Sequence, residues 1–339
     1  MRIALINSGL GLLGAAAEIR RLAPTADLVL TMDPDGMPWG PRTPEDIAQR
    51  SLACARAAVE YQPDAMVFAC NTGSVHALGV LRAEFEPRIP IVGTVPAIKP
   101  AAALGEPLAI WATAATTGSP YQRRLIAQFA ASVPVAEVAC PGLADAINDG
   151  DEEATRHVVR DAAARTPRVA KAIVLGCTEY ELAADEISAA VPGVRLHGSA
   201  SAVAMQALRR ARQAASAAGD GLALGGTPAG DDAAGAGAAS AGDDVPGAGA
   251  ASAGDDVPGA GAASAHNGHA RPRNAPGNLE PSLPDTDPPV GAVYVLMSGR
   301  REPMPAAALC YREGRFLVDR RRGIAEGLPS SSGSASSRS

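Results

Sequence analysis

The sequence predicts an α/β protein with parallel sheets over residues 1 to 213, followed by a long disordered C-terminal extension. Two observations support this division. Short apolar runs alternate with amphipathic segments of helical length before residue 213, whereas Gly, Ala, Ser, Asp and Pro dominate after it. Alternating strands and helices are typical of parallel sheets that helices cover on both faces.

The apolar runs predict strands because each is short and is bounded by polar or turn-forming residues. In chain order they span residues 3–6, 28–30, 66–69, 89–93, 108–112, 135–139, 173–175 and 194–196. Reactive side chains in open α/β sheets gather outside the carboxyl ends of the strands. The residues that directly follow these runs are therefore the first candidates for a site.

Three intervening segments carry clear signals for the start of a helix. The segment 43–61 opens with Thr43 as a potential N-cap and Pro44 at the first helical position. Its next residues are acidic, which suits the positive end of a helix. The segment 119–131 begins with Ser-Pro in the same way, and 151–164 begins with Asp151. These segments supply the helices that an α/β fold requires.

Composition narrows the class of protein. The chain has 339 residues, 47% of them hydrophobic, and a net charge of −6, so nothing favours binding to nucleic acid or to an anionic membrane. No apolar run is long enough to span a membrane, and no signal peptide is indicated. The five cysteines are scattered without a CxxC pair, so we expect neither disulfides nor a metal site. A cytoplasmic location fits best.

A low-complexity region separates the α/β part from the C-terminus. Residues 230–241, 242–253 and 254–265 repeat a twelve-residue unit of small and acidic residues, GDDVPGAGAASA in its last two copies. Such a unit buries too little apolar surface to offset chain entropy. We therefore predict a disordered linker over 214–289. Residues 290–339 are expected to be a mostly disordered tail, with a hairpin over 292–318 that is too small to fold alone.

A glycine-rich turn follows the first strand and raises a nucleotide-binding alternative. Gly9, Gly11 and Gly14 form a GxGxxG pattern before a predicted helix, with Asp33 near the end of the second strand. This spacing suits a dinucleotide fold. Against it, Asn7 and Ser8 are inserted between strand and glycines, and the chain contains 36 glycines. NAD binding remains an alternative with weak support.

Two cysteines carry the stronger signal. Cys70 and Cys177 each end an apolar strand and precede a Thr-containing segment that resembles a helix start. Backbone N–H groups at such a position are expected to lower the thiol pKa. Two thiols that face one substrate from opposite sides suit inversion of a carbon centre, because one removes a proton and the other returns one. The competing interpretation is two buried structural cysteines.

These residues place the chain close to a known family. Residues 1–213 resemble the aspartate/glutamate racemases, and glutamate racemases most closely. The resemblance rests on an ordered set of motifs: NSGLGL at 7–12, PWG at 38–40, ACNTGS at 69–74, IPIVG at 89–93, TAATTGSPY at 113–121, CP at 140–141 and GCTEY at 176–180.

The resemblance implies two similar three-layer domains around a central cleft, the first formed by 1–95 plus 198–213 and the second by 96–197. It implies racemisation without cofactor or metal, of L-glutamate to D-glutamate for peptidoglycan, with Cys70 and Cys177 as catalytic acid and base. The substrate-binding residues that it implies are Asn7, Ser8, Trp39, Gly40, Asn71, Thr72 and Thr178. The expected partner is a small amino acid, and a homodimer is left open.

Three departures from the family pattern affect the expected activity. Asn7 replaces an aspartate, Glu179 replaces a histidine after the second cysteine, and Asn148 stands where a glutamate is expected, with Asp149 one residue on. A carboxylate about 4 Å from Cys177 opposes its thiolate by about 4 kcal/mol at an effective dielectric of about 20. Glu179 and Asn148 are therefore auxiliary candidates, and we predict a slow, direction-biased or substrate-shifted enzyme.

Two further alternatives remain at this point. An enzyme of the same fold that acts on aspartate or a hydantoin is compatible with the motifs, because Trp39 stands where the family carries tyrosine. A relative that binds an amino acid without turnover is also compatible, because the groups beside the cysteines have changed. Exchange of the substrate α-proton with solvent separates an enzyme from a binding protein.

Overall fold

The computed structural model describes residues 1–223 and 290–319. The strands are Arg2–Asn7 (β1), Asp27–Met32 (β2), Ala65–Phe68 (β3), Ile91–Gly93 (β4), Leu108–Ala112 (β5), Val135–Ala139 (β6), Ala172–Leu175 (β7), Arg195–His197 (β8), Val293–Met297 (β9) and Arg300–Arg301 (β10). The α-helices are Leu13–Leu22 (α1), Pro44–Val59 (α2), Asn71–His76 (α3), Leu78–Phe85 (α4), Ile98–Ala102 (α5), Pro120–Phe129 (α6), Leu143–Asp149 (α7), Glu152–Arg165 (α8), Ala184–Ala190 (α9), Ala200–Ala223 (α10) and Arg312–Val318 (α11). Short 3-10 helices span Leu10–Leu12, Thr178–Ala183 and Ala306–Cys310.

Two sheets organise the fold. The first has the order β10-β9-β2-β1-β3-β4, and the second has the order β6-β5-β7-β8. All pairings are parallel except that of β10 with β9. The central strands β1, β3, β5 and β7 are buried almost throughout, as expected for parallel strands covered on both faces. The predicted α/β class with parallel sheets is confirmed.

Each predicted strand run corresponds to one of the strands β1 to β8, and the predicted helix starts are confirmed as well. The hydroxyl of Thr43 accepts from the backbone N–H of Asp46 and caps α2, with Pro44 at the first helical position. Ser119 caps α6 in the same way. Asp151 caps α8 by accepting from the backbone N–H groups of residues 153 and 154.

The C-terminal segment, residues 290–319, differs from the sequence-based expectation. Ser298 and Gly299 both have positive φ and form the tight turn of a β9–β10 hairpin, but β9 also pairs in parallel with β2 across the chain. The second half of the predicted hairpin is wrong, because residues 306–318 form a 3-10 helix and then α11. These residues pack against α1 and the end of α7 instead of pairing as a strand.

Residue 214, the predicted start of the linker, lies within helix α10. Helix α10 continues to Ala223, ten residues beyond the predicted end of the α/β part at 213. The remainder of the predicted linker, 224–289, and of the predicted tail, 320–339, lies outside the described residues.

The hydrophobic core joins the two sheets. Its largest cluster contains side chains from β1 and β2 of the first sheet, from β5 and β7 of the second, and from α1 and α10. Helix α10 packs against α1, β3 and β4, on the side of the first sheet. None of the helices in the described ranges is long and apolar enough to cross a membrane.

Candidate active site

Cys70 lies directly beyond the carboxyl end of β3 and caps the short helix α3. Its backbone is extended, and its Sγ accepts a hydrogen bond of 3.4 Å from the backbone N–H of Gly73. Only 8% of its surface is exposed. Burial is the largest influence on this thiol and raises its pKa to about 12, the Glu179 carboxylate raises it as well, and the N–H groups of Gly73 and Thr72 lower it.

Cys177 occupies the matching position beyond β7. The following 3-10 helix turns Glu179 back onto it, so that Sγ donates to Oε2 of Glu179 at 2.9 Å. Burial and the Glu179 carboxylate raise the pKa of Cys177 well above its ordinary value. The sequence-based expectation that backbone N–H groups lower the pKa of both thiols is wrong. Both pKa values are raised, because burial and the nearby carboxylate outweigh the N–H groups.

Both thiols line one cavity of about 310 Å³. That volume lies at the small end of the range for ligand pockets, roughly 300–1,000 Å³, and suits a small molecule. Of the residues predicted from the sequence, the cavity brings together Ser8, Trp39, Gly40, Cys70, Thr72, Asn148, Cys177 and Glu179. Among the residues that the structure describes, no Lys, Arg or His lines this cavity. Its charged side chains are the carboxyl groups of Asp145 and Glu179.

Asn7, Asn71 and Thr178 do not line the cavity and lie behind its wall. The amide of Asn7 donates to the carbonyl of Ala69 at 2.7 Å and to the hydroxyl of Thr178 at 3.2 Å. Asn71 donates to the carbonyl of Gly176 at 2.8 Å, which ties the turn after β3 to the turn after β7. In this geometry the three side chains join the two cysteine turns by hydrogen bonds.

The glycine-rich turn is explained by close packing of polypeptide. A Cβ at Gly9 would overlap the side chain of Asn148, whose Oδ1 accepts from the N–H of Leu10 at 2.8 Å. A Cβ at Gly11 would overlap the side chains of Thr178 and Asn7 and crowd the carboxyl group of Glu179. These glycines therefore let the turn after β1 pack closely against Asn148 of α7 and against Thr178 and Glu179 after β7. This geometry gives no support to a nucleotide site.

Trp39 forms a fixed wall of the cavity. Its ring stacks on Phe68 with centroids 5.8 Å apart, and its Nε1 donates to Oδ2 of Asp33 at 2.9 Å. Asp33 is buried and also accepts from Arg50 at 3.3 Å. Asp33, whose spacing supported the nucleotide alternative, is thus engaged within the protein.

Sequence reasoning missed Asp145 and assigned no role to Cys140, although both line the cavity. Asp145 precedes Asn148 by three residues on α7, so the two share a helix face, and this spacing could have identified it. Cys140 follows β6 at the same edge of the second sheet as Cys177, which is the signal that singled out the other two thiols.

Comparisons with known proteins agree with this geometry. The sequence profile of the Asp/Glu/hydantoin racemase family matches residues 11–228. A glutamate racemase of Methylococcus capsulatus is 37% identical over 214 residues, covering 61% of this chain and 78% of the relative. One of Sphingopyxis alaskensis is 39% identical over 197 residues, covering 55% and 73%. The crystal structure of Escherichia coli glutamate racemase, in complex with L-glutamate and the activator UDP-MurNAc-Ala, has a TM-score of 0.57 and 31% identity, and the match covers 62% of this chain and 82% of that one.

The fold and the cavity define a two-sheet α/β protein with a thiol from each sheet facing a shared cleft. The chain belongs to the Asp/Glu/hydantoin racemase family. The family resemblance read from the sequence is confirmed, and isomerisation is the class of activity that the family carries.

Proposed function

We propose that the protein interconverts L- and D-glutamate, with Cys70 and Cys177 as the two acid/base groups and no cofactor. The observation that carries this proposal is that both thiols line one small cavity from the ends of strands in different sheets. The relatives named glutamate racemase supply the substrate. D-glutamate formed in this way would serve peptidoglycan synthesis in the cytoplasm.

The proposed reaction needs one thiolate and one thiol. The thiolate removes the α-proton of glutamate on one face, the electron pair stays on the α-carbon, and the opposite thiol returns a proton on the other face. The starting thiolate then carries the substrate proton, and the other sulfur is left as thiolate. Each turnover therefore reverses the protonation of the two sulfurs.

Glu179 makes the two sulfurs differ in how readily each forms a thiolate. In the free protein the thiol of Cys177 is held by the Glu179 carboxylate, so its thiolate would form beside a negative charge. The Cys70 thiolate is the easier one to form, because the Glu179 carboxylate directly contacts Cys177, whereas the backbone N–H groups of Gly73 and Thr72 favour a negative charge on Cys70. We assign Cys70 as the resting base and Cys177 as the resting acid, in a slow enzyme.

The remaining polar groups of the cavity suit the two ends of an amino acid. The hydroxyls of Ser8 and Thr72 lie on the Cys70 side and can donate to the α-carboxylate. The carboxyl groups of Glu179 and Asp145 can accept from the ammonium group. Asn7, Asn71 and Thr178, which the family resemblance assigns to substrate, act in this proposal by fixing the two cysteine turns.

The test is chiral chromatography of L-glutamate and D-glutamate incubated in D2O with wild type, Cys70→Ser and Cys177→Ser. Wild type should convert each enantiomer, with solvent deuterium in the inverted product and none in the substrate recovered early. Either serine variant should lose at least about a hundredfold in rate, since general acid–base groups contribute about 10²–10⁴.

Cys140→Ser is the matched control, because Cys140 lines the same cavity and has no assigned step. It should keep most of the activity. A loss in Cys140→Ser equal to that in Cys70→Ser would refute the two-thiol assignment. L-aspartate in a parallel incubation measures side-chain preference, and turnover of aspartate alone would refute glutamate as substrate.

A further inference from the structure

The C-terminal segment, residues 290–319, is connected by hydrogen bonds to two walls of the substrate cavity without lining the cavity itself. One contact leads through Ser298 and Asp33 to Trp39, and the other leads through Tyr311 to helix α7, which carries Asp145 and Asn148. Neither Ser298 nor Tyr311 lines the cavity. We propose that the C-terminal segment is a positioning element for the substrate cavity, with Ser298 and Tyr311 as its positioning residues. This proposal rests on the proposed glutamate racemase activity.

The first contact acts on Trp39. Ser298 lies in the tight β9–β10 turn, and its hydroxyl donates to Oδ1 of Asp33 at 3.4 Å while accepting from the backbone N–H of Asp35 at 3.4 Å. The other oxygen of Asp33 accepts from Nε1 of Trp39. Asp33 therefore relays the position of the β9–β10 turn to the indole ring that forms a wall of the cavity.

The second contact acts on the opposite wall. The hydroxyl of Tyr311 donates to the carbonyl of Ile147 at 2.9 Å, one residue before Asn148. Asn148 in turn accepts from the N–H of Leu10 in the glycine-rich turn at 2.8 Å. Tyr311 is 8% exposed, so this hydrogen bond is shielded from water. The position of α7 relative to the Cys70 side of the cavity thus depends on a residue far away in sequence.

The segment is bound by specific contacts as well as by apolar burial. Buried Arg20 donates to the carbonyls of Pro24, Ala26 and Ala292, and the N–H of Ala292 donates to Oδ1 of Asp27 at 2.9 Å. A Cβ at Gly291 would overlap the backbone of Ala26. These contacts fix the register of β9 against β2, and with it the location of Ser298.

The kinetic test uses the full chain with Ser298→Ala and Tyr311→Phe. Ser298→Ala removes the hydrogen bonds to Asp33 and Asp35, and Tyr311→Phe removes the hydrogen bond to Ile147. Each variant should raise KM for glutamate by about threefold to tenfold while kcat stays within about twofold. Ser298→Asn should restore KM, because asparagine tolerates positive φ and its amide can donate to Asp33. Leu309→Ala, an exposed position on the same segment, is the control and should match wild type.

Hydrogen–deuterium exchange provides a readout that does not need activity. Ser298→Ala should speed amide exchange in residues 33–41, and Tyr311→Phe should speed it in 143–149, with Leu309→Ala unchanged. Unchanged KM and exchange in both variants would overturn the proposal, and so would a uniform rise in exchange across the chain, which indicates general destabilisation. If wild type fails to racemise glutamate, the proposed function fails, and local exchange at the two walls still decides the positioning role.

Discussion

Cys177 and Glu179 share a partly buried hydrogen bond, with Sγ 2.9 Å from Oε2, inside a cavity that holds no cationic side chain among the described residues. In the reaction of either enantiomer, Cys177 is a thiolate next to this carboxylate at one stage. The same electrostatic free-energy cost therefore applies in both directions. Because the equilibrium constant between enantiomers is one, kcat/KM must be equal in the two directions. The predicted directional bias can therefore appear only in kcat, with a matching difference in KM.

Glu179→Gln should raise kcat/KM for both enantiomers by about tenfold or more, bounded by the roughly 4 kcal/mol that two close charges contribute. Glutamine removes the charge and can donate to the thiolate. Glu179→His should act in the same direction, because a protonated imidazole attracts the thiolate. Initial rates from L- and D-glutamate measure the effect. A fall of tenfold or more in kcat of Glu179→Gln would show instead that the carboxylate relays a proton, whereas a rise in KM alone would report its contact with the substrate ammonium group.

The rate should depend on pH in the direction set by the raised pKa of Cys70. Since this pKa is about 12, only a small fraction of Cys70 is thiolate at neutral pH, and that fraction rises about tenfold for each pH unit. We expect kcat/KM of wild type to rise steeply between about pH 6.5 and 8.5. A flat profile over this range would show that the base is not a free Cys70 thiolate.

Gly11→Ala should be strongly destabilising. The new Cβ would overlap Thr178 and Asn7, which join the two cysteine turns, so overpacking should cost about 1–3 kcal/mol or more. Gly14→Ala is the matched control in the same motif, because its Cβ would lie 3.5 Å from the nearest atom and alanine favours α1 by about 0.5–1 kcal/mol. Guanidinium unfolding of both variants measures the difference, and equal midpoints would contradict the packing explanation.

The contrast between Gly11 and Gly14 shows the limit of prediction from sequence. Both belong to one motif, and only the structure shows which of them is closely packed. Local signals predicted β1 to β8 and the caps of α2, α6 and α8, because short apolar runs and cap residues act within a few positions. The two cysteines were found for the same reason, since a strand end is a local feature. The directions of Asn7, Asn71 and Thr178 depend on carbonyls of Ala69 and Gly176 that are distant in sequence, so their places behind the cavity could not be predicted.

The same reasoning explains the misread C-terminal segment. The run from Val293 to Met297 carries a strand signal, but its partner β2 lies more than 250 residues earlier, and parallel pairing leaves no local mark. Residues 306–318 were expected to return as a second strand. They form helical turns because Tyr311 and Leu317 bury against the rest of the fold.

Thiol reactivity should separate the cysteines by environment. Cys310 is exposed, whereas burial raises the pKa of Cys54, Cys70 and Cys140 to about 12 each. At pH 8 we expect Ellman's reagent to modify one thiol per chain rapidly and the others slowly, because the thiolate is the reactive form. Cys310→Ser should remove the fast phase. A second fast thiol that glutamate protects would identify an unexpectedly reactive cysteine in the cavity.

A chain that ends at residue 289 should be less stable than one that ends at 319. The shorter chain lacks β9 and α11, so β2 loses its parallel partner and Arg20 loses the carbonyl of Ala292. It also loses the buried side chains of Val293, Val295, Leu296 and Leu317, each worth about 1.5–3 kcal/mol. We expect the 1–289 chain to unfold at lower guanidinium concentration or to aggregate through the exposed β2 edge, because an unpaired strand edge templates association.

The 1–319 chain keeps every residue of the C-terminal segment and should match the full chain in unfolding midpoint. Equal midpoints for all three chains would mean that β9 and α11 add nothing to the stability of the fold.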